Sequence, residues 1–350
     1  MAENEDVLVS VRNGVGILTL NRPKAINSLT EPMVTALSAA LRGWEHDESV
    51  HTVLLTGAGE RGLCAGGDVV AIYHSAKAGG ADARRFWHDE YLLNAYIGRY
   101  PKPYVALMDG IVMGGGVGVA GHGSARVVTD TTKMAMPEVG IGFIPDVGGT
   151  YLLSRAPGGS GLHAALTGAP FTGADAIAMG FADHYVPHAA LTDFTEAVVN
   201  DGVDAALTAH AIEPPASELL AQRDWIDSCY AGDTVADIMA SLQGHAAGTA
   251  AVDAADLIAT RSPVSVAVTL EAVRRAAKLE TLEDVLRQEY RTSSASLRSH
   301  DLVEGIRAQL VDKDRNPQWS PASIAAVTQA DVDAYFVPAD PDLMFQEDNR

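Results

Sequence analysis

Two carboxylates stand eight residues apart in an otherwise apolar stretch, Met136-Pro137-Glu138-Val139-Gly140-Ile141-Gly142-Phe143-Ile144-Pro145-Asp146-Val147-Gly148-Gly149. Burial disfavours the charged form of a carboxyl, so one of such a pair can titrate near neutrality and act as general acid or base. A second, better solvated one stays ionised. Each also has a local reading, Glu138 as a bridge within its own turn and Asp146 as the cap of a helix opening at Val147. Two glycine-dense segments add a second kind of chemistry: Gly62-Leu63-Cys64-Ala65-Gly66-Gly67-Asp68 and Met113-Gly114-Gly115-Gly116-Val117-Gly118. With no Cβ in the way, main-chain N–H groups can approach a ligand closely. Both segments could thus present backbone donors to a ligand, or serve only to let the chain cross tightly.

Other chemistries fit less well. Gly116-x-Gly118-x-x-Gly121 with Glu138 downstream resembles a dinucleotide fingerprint, but such a loop follows its strand at once and opens a helix. Met108, the end of the expected strand, lies eight residues before Gly116, and Gly121-His122-Gly123 starts a helix poorly. There is no Gly-x-Ser-x-Gly elbow, no Walker loop and no His-Glu-x-x-His pair. Serine hydrolase, nucleotide triphosphatase and zinc peptidase mechanisms therefore have no starting point.

The elements that must position these residues are readable from periodicity. Residues 7 to 20 form two β-branched runs around Asn13-Gly14, a dipeptide suited to a type I′ turn, and predict a hairpin. Thr30 as cap, Pro32 in the first turn, and Met33, Val34, Leu37, Leu41 and Trp44 at helical spacing predict an amphipathic helix. Strands are expected at Thr52 to Thr56, Tyr104 to Met108 and Ala125 to Val128, with a helix from Asp82 to Tyr96. This alternation implies parallel pairing with right-handed crossovers. Helical patterns follow at Gly161 to Thr167 and Ala174 to Met179, and from Leu191 the chain reads as mostly helical. The stripe Leu282, Val285, Leu286, Glu289, Tyr290, Ser293, Leu297 reads as a packing helix. The charged tail after Phe345 is expected to fray. The expectation is an α/β region over residues 1–200 followed by a helical region over 201–350, with a break at Pro214-Pro215.

Composition narrows the partners. At 350 residues, 47% hydrophobic and 20% charged, the chain has a globular mix and enough length for a large core. Its net charge of −20 repels a phosphate backbone, so no nucleic-acid partner is expected. Cys64 and Cys229 are too few for a disulfide framework and suit a reducing, cytoplasmic setting. The acidic start, Met1 to Asp6, lacks the character of a signal or transit peptide. Val105 to Gly121, interrupted by Asp109 and rich in glycine, is not expected to span a membrane.

Asn21-Arg22-Pro23-Lys24-Ala25-Ile26-Asn27-Ser28-Leu29, Ala65-Gly66-Gly67-Asp68, Gly114-Gly115-Gly116 and Met136-Pro137-Glu138 occur in an order and spacing that resembles the crotonase, or enoyl-CoA hydratase/isomerase, superfamily. Within it the chain is similar to the 3-hydroxyisobutyryl-CoA hydrolases over roughly residues 7 to 338. Phe86-Trp87-His88-Asp89-Glu90-Tyr91, Lys102-Pro103-Tyr104-Val105-Ala106-Leu107, Phe143 to Gly149, and the late run Glu289-Tyr290-Arg291 through Asp312-Lys313-Asp314 carry that likeness.

The resemblance implies a crotonase-like spiral (ββα) core with a helical C-terminal region, and trimer-type homo-oligomeric packing. It implies that the amides of Gly67 and Gly115 bind the thioester oxygen, that Glu138 and Asp146 are catalytic, and that Glu90, Gly115, Glu138 and Asp146 contact substrate. Coenzyme A, as part of the substrate, would lie against Lys24, Ala25, Ala65, Asp68 and Ile72, with Arg22 and Lys24 near its phosphates; no cofactor and no metal are expected. Hydratases of the superfamily carry a glutamate in the second glycine segment, where this chain has Gly118. The implied activity is thus hydrolysis of a 3-hydroxyacyl-CoA thioester in valine catabolism. A hydratase or isomerase with altered acid/base chemistry and an acyl-CoA-binding protein without turnover are the alternatives.

Overall fold

The computed structural model describes residues 5–246 and 248–345; the charged tail beyond Phe345 lies outside them. In chain order the first elements are β1 (Val7–Arg12), β2 (Val15–Leu20), α1 (Glu31–Glu45), β3 (Thr52–Gly57), α2 (Val69–Lys77), α3 (Ala81–Gly98) and β4 (Tyr104–Met108). Then come β5 (Ile111–Met113), α4 (Gly115–Ala120), β6 (Ala125–Val128), β7 (Lys133–Ala135), α5 (Gly149–Leu153), α6 (Ser160–Thr167), β8 (Phe171–Thr172), α7 (Gly173–Ala178) and β9 (His184–Tyr185). The rest is helical: α8 (Leu191–Asp201), α9 (Val203–His210), α10 (Arg223–Cys229), α11 (Val235–Gln243), α12 (Ala250–Ala259), α13 (Pro263–Ala276), α14 (Leu282–Ser296), α15 (His300–Ile306) and α16 (Gln329–Asp333). Among the described residues no helix is long and apolar enough to cross a membrane.

The chain divides into two compact units, each drawing on several stretches. Residues 1–67, 92–134 and 171–218 form the first. Its six-stranded sheet has the order β1-β2-β3-β4-β6-β9, antiparallel between β1 and β2 and parallel at every other pairing. The hairpin turns where expected, with Asn13 at φ 48° and Gly14 at φ 80°, the left-handed pair that a type I′ turn needs. Helix α1 buries the stripe read from the sequence, Met33, Val34, Leu37, Leu41 and Trp44. Each such aliphatic side chain contributes about 1.5–3 kcal/mol by leaving water. Thr30 takes the N-cap position, but its side chain accepts no capping hydrogen bond. Val15, Leu54, Val105, Val127 and Val186 of the sheet region pack with Phe194 and Val198 of α8.

The second glycine segment differs from its sequence reading. Where the expected strand ended at Met108 and no helix start was read, a short strand, β5, directly precedes the glycines, and they themselves coil into α4. Three residues of strand and six of glycine-rich helix leave no periodicity to read. Strand β5 joins a second small sheet, in the order β5-β7-β8.

Residues 68–91, 135–170 and 219–350 form the second unit, which is mainly helical. One core gathers Val139 and Leu166 with Ile226, Ile238, Leu242, Ile258, Val266 and Leu270. Another packs Ile144 against Val264, Val268, Ala272 and Ala295. Val139 and Ile144 lie just inside the two candidate acids, so the Glu138 to Asp146 stretch is pinned by apolar burial next to each of them.

Candidate active site

In the first unit the two glycine segments run side by side. Leu63 N–H donates to Asp109 O at 2.9 Å, Cys64 N–H to Ile111 O at 3.1 Å and Met113 N–H to Cys64 O at 3.0 Å. Asn27, fully buried, gathers three carbonyls with its side-chain amide: Ala58 O at 3.1 Å, Gly62 O at 3.2 Å and Leu63 O at 3.0 Å. Gly62 sits at φ +143°, and a Cβ there would lie 2.0 Å from Ile111 N; only glycine permits that approach. The pairing carries on to the amides singled out from sequence: a Cβ on Gly66 would stand 3.7 Å from Gly115 N. Among the described residues neither the Gly67 nor the Gly115 amide has a hydrogen-bond acceptor. Both remain available to a ligand oxygen.

The Lys24-Ala25 turn is exposed, and the next residue, Ile26, accepts the Ala65 N–H at 2.9 Å, joining the two backbone stretches assigned to coenzyme A in this unit. The Arg22 guanidinium donates to Ser28 O at 2.6 Å and Ser28 Oγ at 3.2 Å, with Asp6 at 3.9 Å. Its charge is already engaged within the protein.

The second unit holds the acids. Glu90 on α3, Glu138 in the short 3-10 turn Glu138–Ile141, Asp146 in the loop before α5, and Glu289 on α14 are all buried. The Tyr91 hydroxyl donates to Asp146 Oδ2 at 2.6 Å and lies 2.7 Å from Ser293 Oγ. Asp146 is therefore not the cap of the following helix. That place is taken by Glu289, whose Oε2 accepts Gly148 N–H at 2.6 Å and whose Oε1 accepts Thr150 N–H at 2.9 Å and the Thr150 hydroxyl at 2.6 Å. Periodicity alone makes Glu289 and Ser293 packing positions; a carboxylate inside an apolar stripe is the signal that could have marked them.

Burial shifts every one of these acids upward. It pushes the Asp146 carboxyl up to about 7, although the Tyr91 hydrogen bond pulls the other way. It pushes Glu289 up to about 8, against the bonds from Thr150 and Gly148 and with help from the Asp146 charge. Burial, then the charge of Asp146, holds Glu90 well above the usual carboxylate range. The same two causes raise Glu138, with Glu289 adding to them and the Glu138 amide opposing. Among the described residues Glu90 Oε1 and Glu138 Oε2 have no hydrogen-bond partner. A buried carboxyl oxygen without a hydrogen-bond partner, which holds its proton more tightly than it would in water, is equipped to exchange that proton with a bound molecule.

Two aromatic rings come from the same chain segments as the acids Glu90 and Asp146. Trp87 on α3 stacks on Phe143 with ring centroids 5.1 Å apart and planes 13° from parallel. Asp68 caps α2 by accepting Ala71 N–H at 3.3 Å, and Ile72 is buried within that helix.

This chain is similar to several known proteins. The mitochondrial 3-hydroxyisobutyryl-CoA hydrolase of Danio rerio is 39% identical over 352 residues, covering 96% of this chain and 90% of that protein. The Homo sapiens protein of the same name is 38% identical over 343 residues, covering 95% and 88%. A crystal structure of a protein named carnitinyl-CoA dehydratase, from Mycobacterium thermoresistibile, matches with a TM-score of 0.96 and 75% identity, over 98% of this chain and 99% of that one. The family model for enoyl-CoA hydratase/isomerase matches residues 15–336, and the chain belongs to that family, with its crotonase-type α/β fold.

Proposed function

We propose that the protein hydrolyses the thioester of 3-hydroxyisobutyryl-CoA, or of a related short 3-hydroxyacyl-CoA, to the free acid and coenzyme A. The observation that carries this reading is the state of the acids. Glu138 is present, buried and, among the described residues, unpaired at Oε2, while Gly118 stands where the resemblance places the second glutamate that hydration would use. The names of the Danio rerio and Homo sapiens relatives support the same substrate.

In this proposal the Gly67 and Gly115 amides donate to the thioester oxygen as it gains charge, a contribution worth about 10²–10³ in rate per donor. Glu138 either takes a proton from a water that attacks the carbonyl carbon, or attacks that carbon itself to form an anhydride that water then opens. In both routes the carbon–sulfur bond breaks, coenzyme A leaves as thiolate, and a proton returns to it. Asp146 orients the substrate hydroxyl or the water, and Glu90, with Trp87 and Phe143 beside it on the apolar side, bounds the acyl group. Lys24, Ala25, Ala65, Asp68 and Ile72 are the proposed coenzyme A contacts, backbone more than side chain. No metal or separate cofactor enters these steps.

The name of the Mycobacterium thermoresistibile protein supports a second reading, hydration or dehydration of an acyl-CoA. One assay separates the two. With 3-hydroxyisobutyryl-CoA the protein is expected to release free thiol, and with an enoyl-CoA to leave the conjugated absorbance nearly unchanged. Fast loss of that absorbance without thiol release would establish the second reading, and saturable binding with neither signal would make the protein an acyl-CoA binder.

A further inference from the structure

Helix α14 presents Glu289 and Ser293 four residues apart, on one face. Both are buried, and both reach the Asp146 region by different routes. A phenol carries a single proton. Because Tyr91 gives that proton to Asp146 Oδ2, the bond between Tyr91 and Ser293 must run from the serine hydroxyl to the phenol oxygen. The chain of donation is Ser293 to Tyr91 to Asp146, each link strengthening the next. Among the described residues the side-chain hydrogen bond to Asp146 falls on Oδ2, and the carboxylate is also stabilised by its own main-chain amide, so Oδ1 takes no side-chain donor.

On the other side of Asp146 the backbone is strained. Val147, a β-branched residue, sits at φ 56°, followed by Gly148 at φ 79°. A β-branched side chain in the left-handed region persists only where its surroundings hold it there. The holding contacts are those of Glu289 with Gly148 and Thr150. One helical turn of α14 thus grips Asp146 through the phenol and through the turn that follows it.

We propose that Glu289 and Ser293 are positioning residues that fix Asp146 with Oδ2 held by Tyr91 and Oδ1 open to the 3-hydroxyl of the substrate. This rests on the hydrolase reading. The groups that titrate around Asp146 are Glu90, Tyr91, Glu138 and Glu289, drawn from α3, the 3-10 turn and α14.

The test uses the full chain, with Ser293→Ala, Ser293→Thr and Glu289→Gln compared on 3-hydroxyisobutyryl-CoA and on isobutyryl-CoA, which lacks the hydroxyl. Ser293→Ala is expected to lower the preference for the hydroxylated substrate about fivefold, the weight of one neutral hydrogen bond. It should also move the acid limb of the pH–rate profile upward. Ser293→Thr, which keeps the hydroxyl, should restore both, and Glu289→Gln should erode the preference by disturbing the turn. Equal losses on both substrates with an unmoved pH limb would mean a merely structural role and overturn the proposal. If the wild-type protein releases no thiol from either substrate, the hydrolase reading fails by itself. The titration of the Asp146 carboxyl, followed by NMR in wild type and Ser293→Ala, then decides the positioning claim: an upward shift supports it and coincident curves overturn it.

Discussion

Replacing Tyr91 by phenylalanine removes one oxygen from a fully buried ring and leaves the rest of the packing in place. That oxygen donates to Asp146 Oδ2 at 2.6 Å. A hydrogen bond to a charged acceptor is worth about 1.5–3 kcal/mol, which corresponds to about one to two pKa units. With Asp146 already pushed up to about 7 by burial, its titration in Tyr91→Phe moves to about 8–9. The sign follows from the bond's preference for the carboxylate: without it the proton is held more tightly, so the ionised form appears only at higher pH. At pH 7 the ionised fraction then falls from about a half to between about a tenth and a hundredth, and kcat/KM should fall about 5- to 50-fold. The loss should shrink steadily as pH is raised through 9. Initial rates of thiol release between pH 5.5 and 9.5 measure this directly. Superposable profiles, or a loss by the same factor at every pH, would refute the link between the phenol and the proton on Asp146.

Glu138→Gln should lower turnover about 10²–10⁴-fold while leaving the affinity for coenzyme A product nearly intact, measured by calorimetry; unchanged turnover removes Glu138 from the mechanism. Gly62→Ala places a methyl 2.0 Å from Ile111 N at φ +143° and should cost about 2–4 kcal/mol in urea unfolding, because backbone must move. Buried acids with raised pKa values bind protons more tightly in the folded state, so they favour folding at low pH. That contribution is lost as pH climbs through the folded values. For Asp146 and Glu289, at about 7 and about 8, thermal stability should therefore decline between about pH 4.5 and 8, by as much as about 4–5 kcal/mol per group before solvent relaxation. A melting temperature that rises over that interval would contradict the shifts.

Local rules were enough for much of the scaffold. Asn13-Gly14 specified its turn through two left-handed residues, and the α1 stripe from Met33 to Trp44 is the stripe found buried. What escaped was set by distant chain. Strand β5 is three residues long and is held by pairing with Cys64, from which α2, α3 and β4 separate it in the chain, and within the sheet β5-β7-β8, partners no single window of sequence contains. Glu138 and Asp146 stood out because carboxylates are rare between Met136 and Gly149. Glu289 did not, because at helical spacing beside Leu286 and Tyr290 it looks like any residue of a packing face, and its partners sit about 140 positions earlier. Asp146 was legible as a polar residue before a helix, and the local reading as a cap was the natural one. The phenol that takes its place as partner lies 55 positions upstream.

The support of Asp146 is assembled from residues 91, 148, 150, 289 and 293. During synthesis the acid itself emerges long before α14 does. A nascent or proteolytically clipped chain ending short of residue 289 would carry every glycine and acid assigned to the chemistry and still lack the grip that aims one of them. Correct aiming of that acid would then begin only once α14 has been made and has packed.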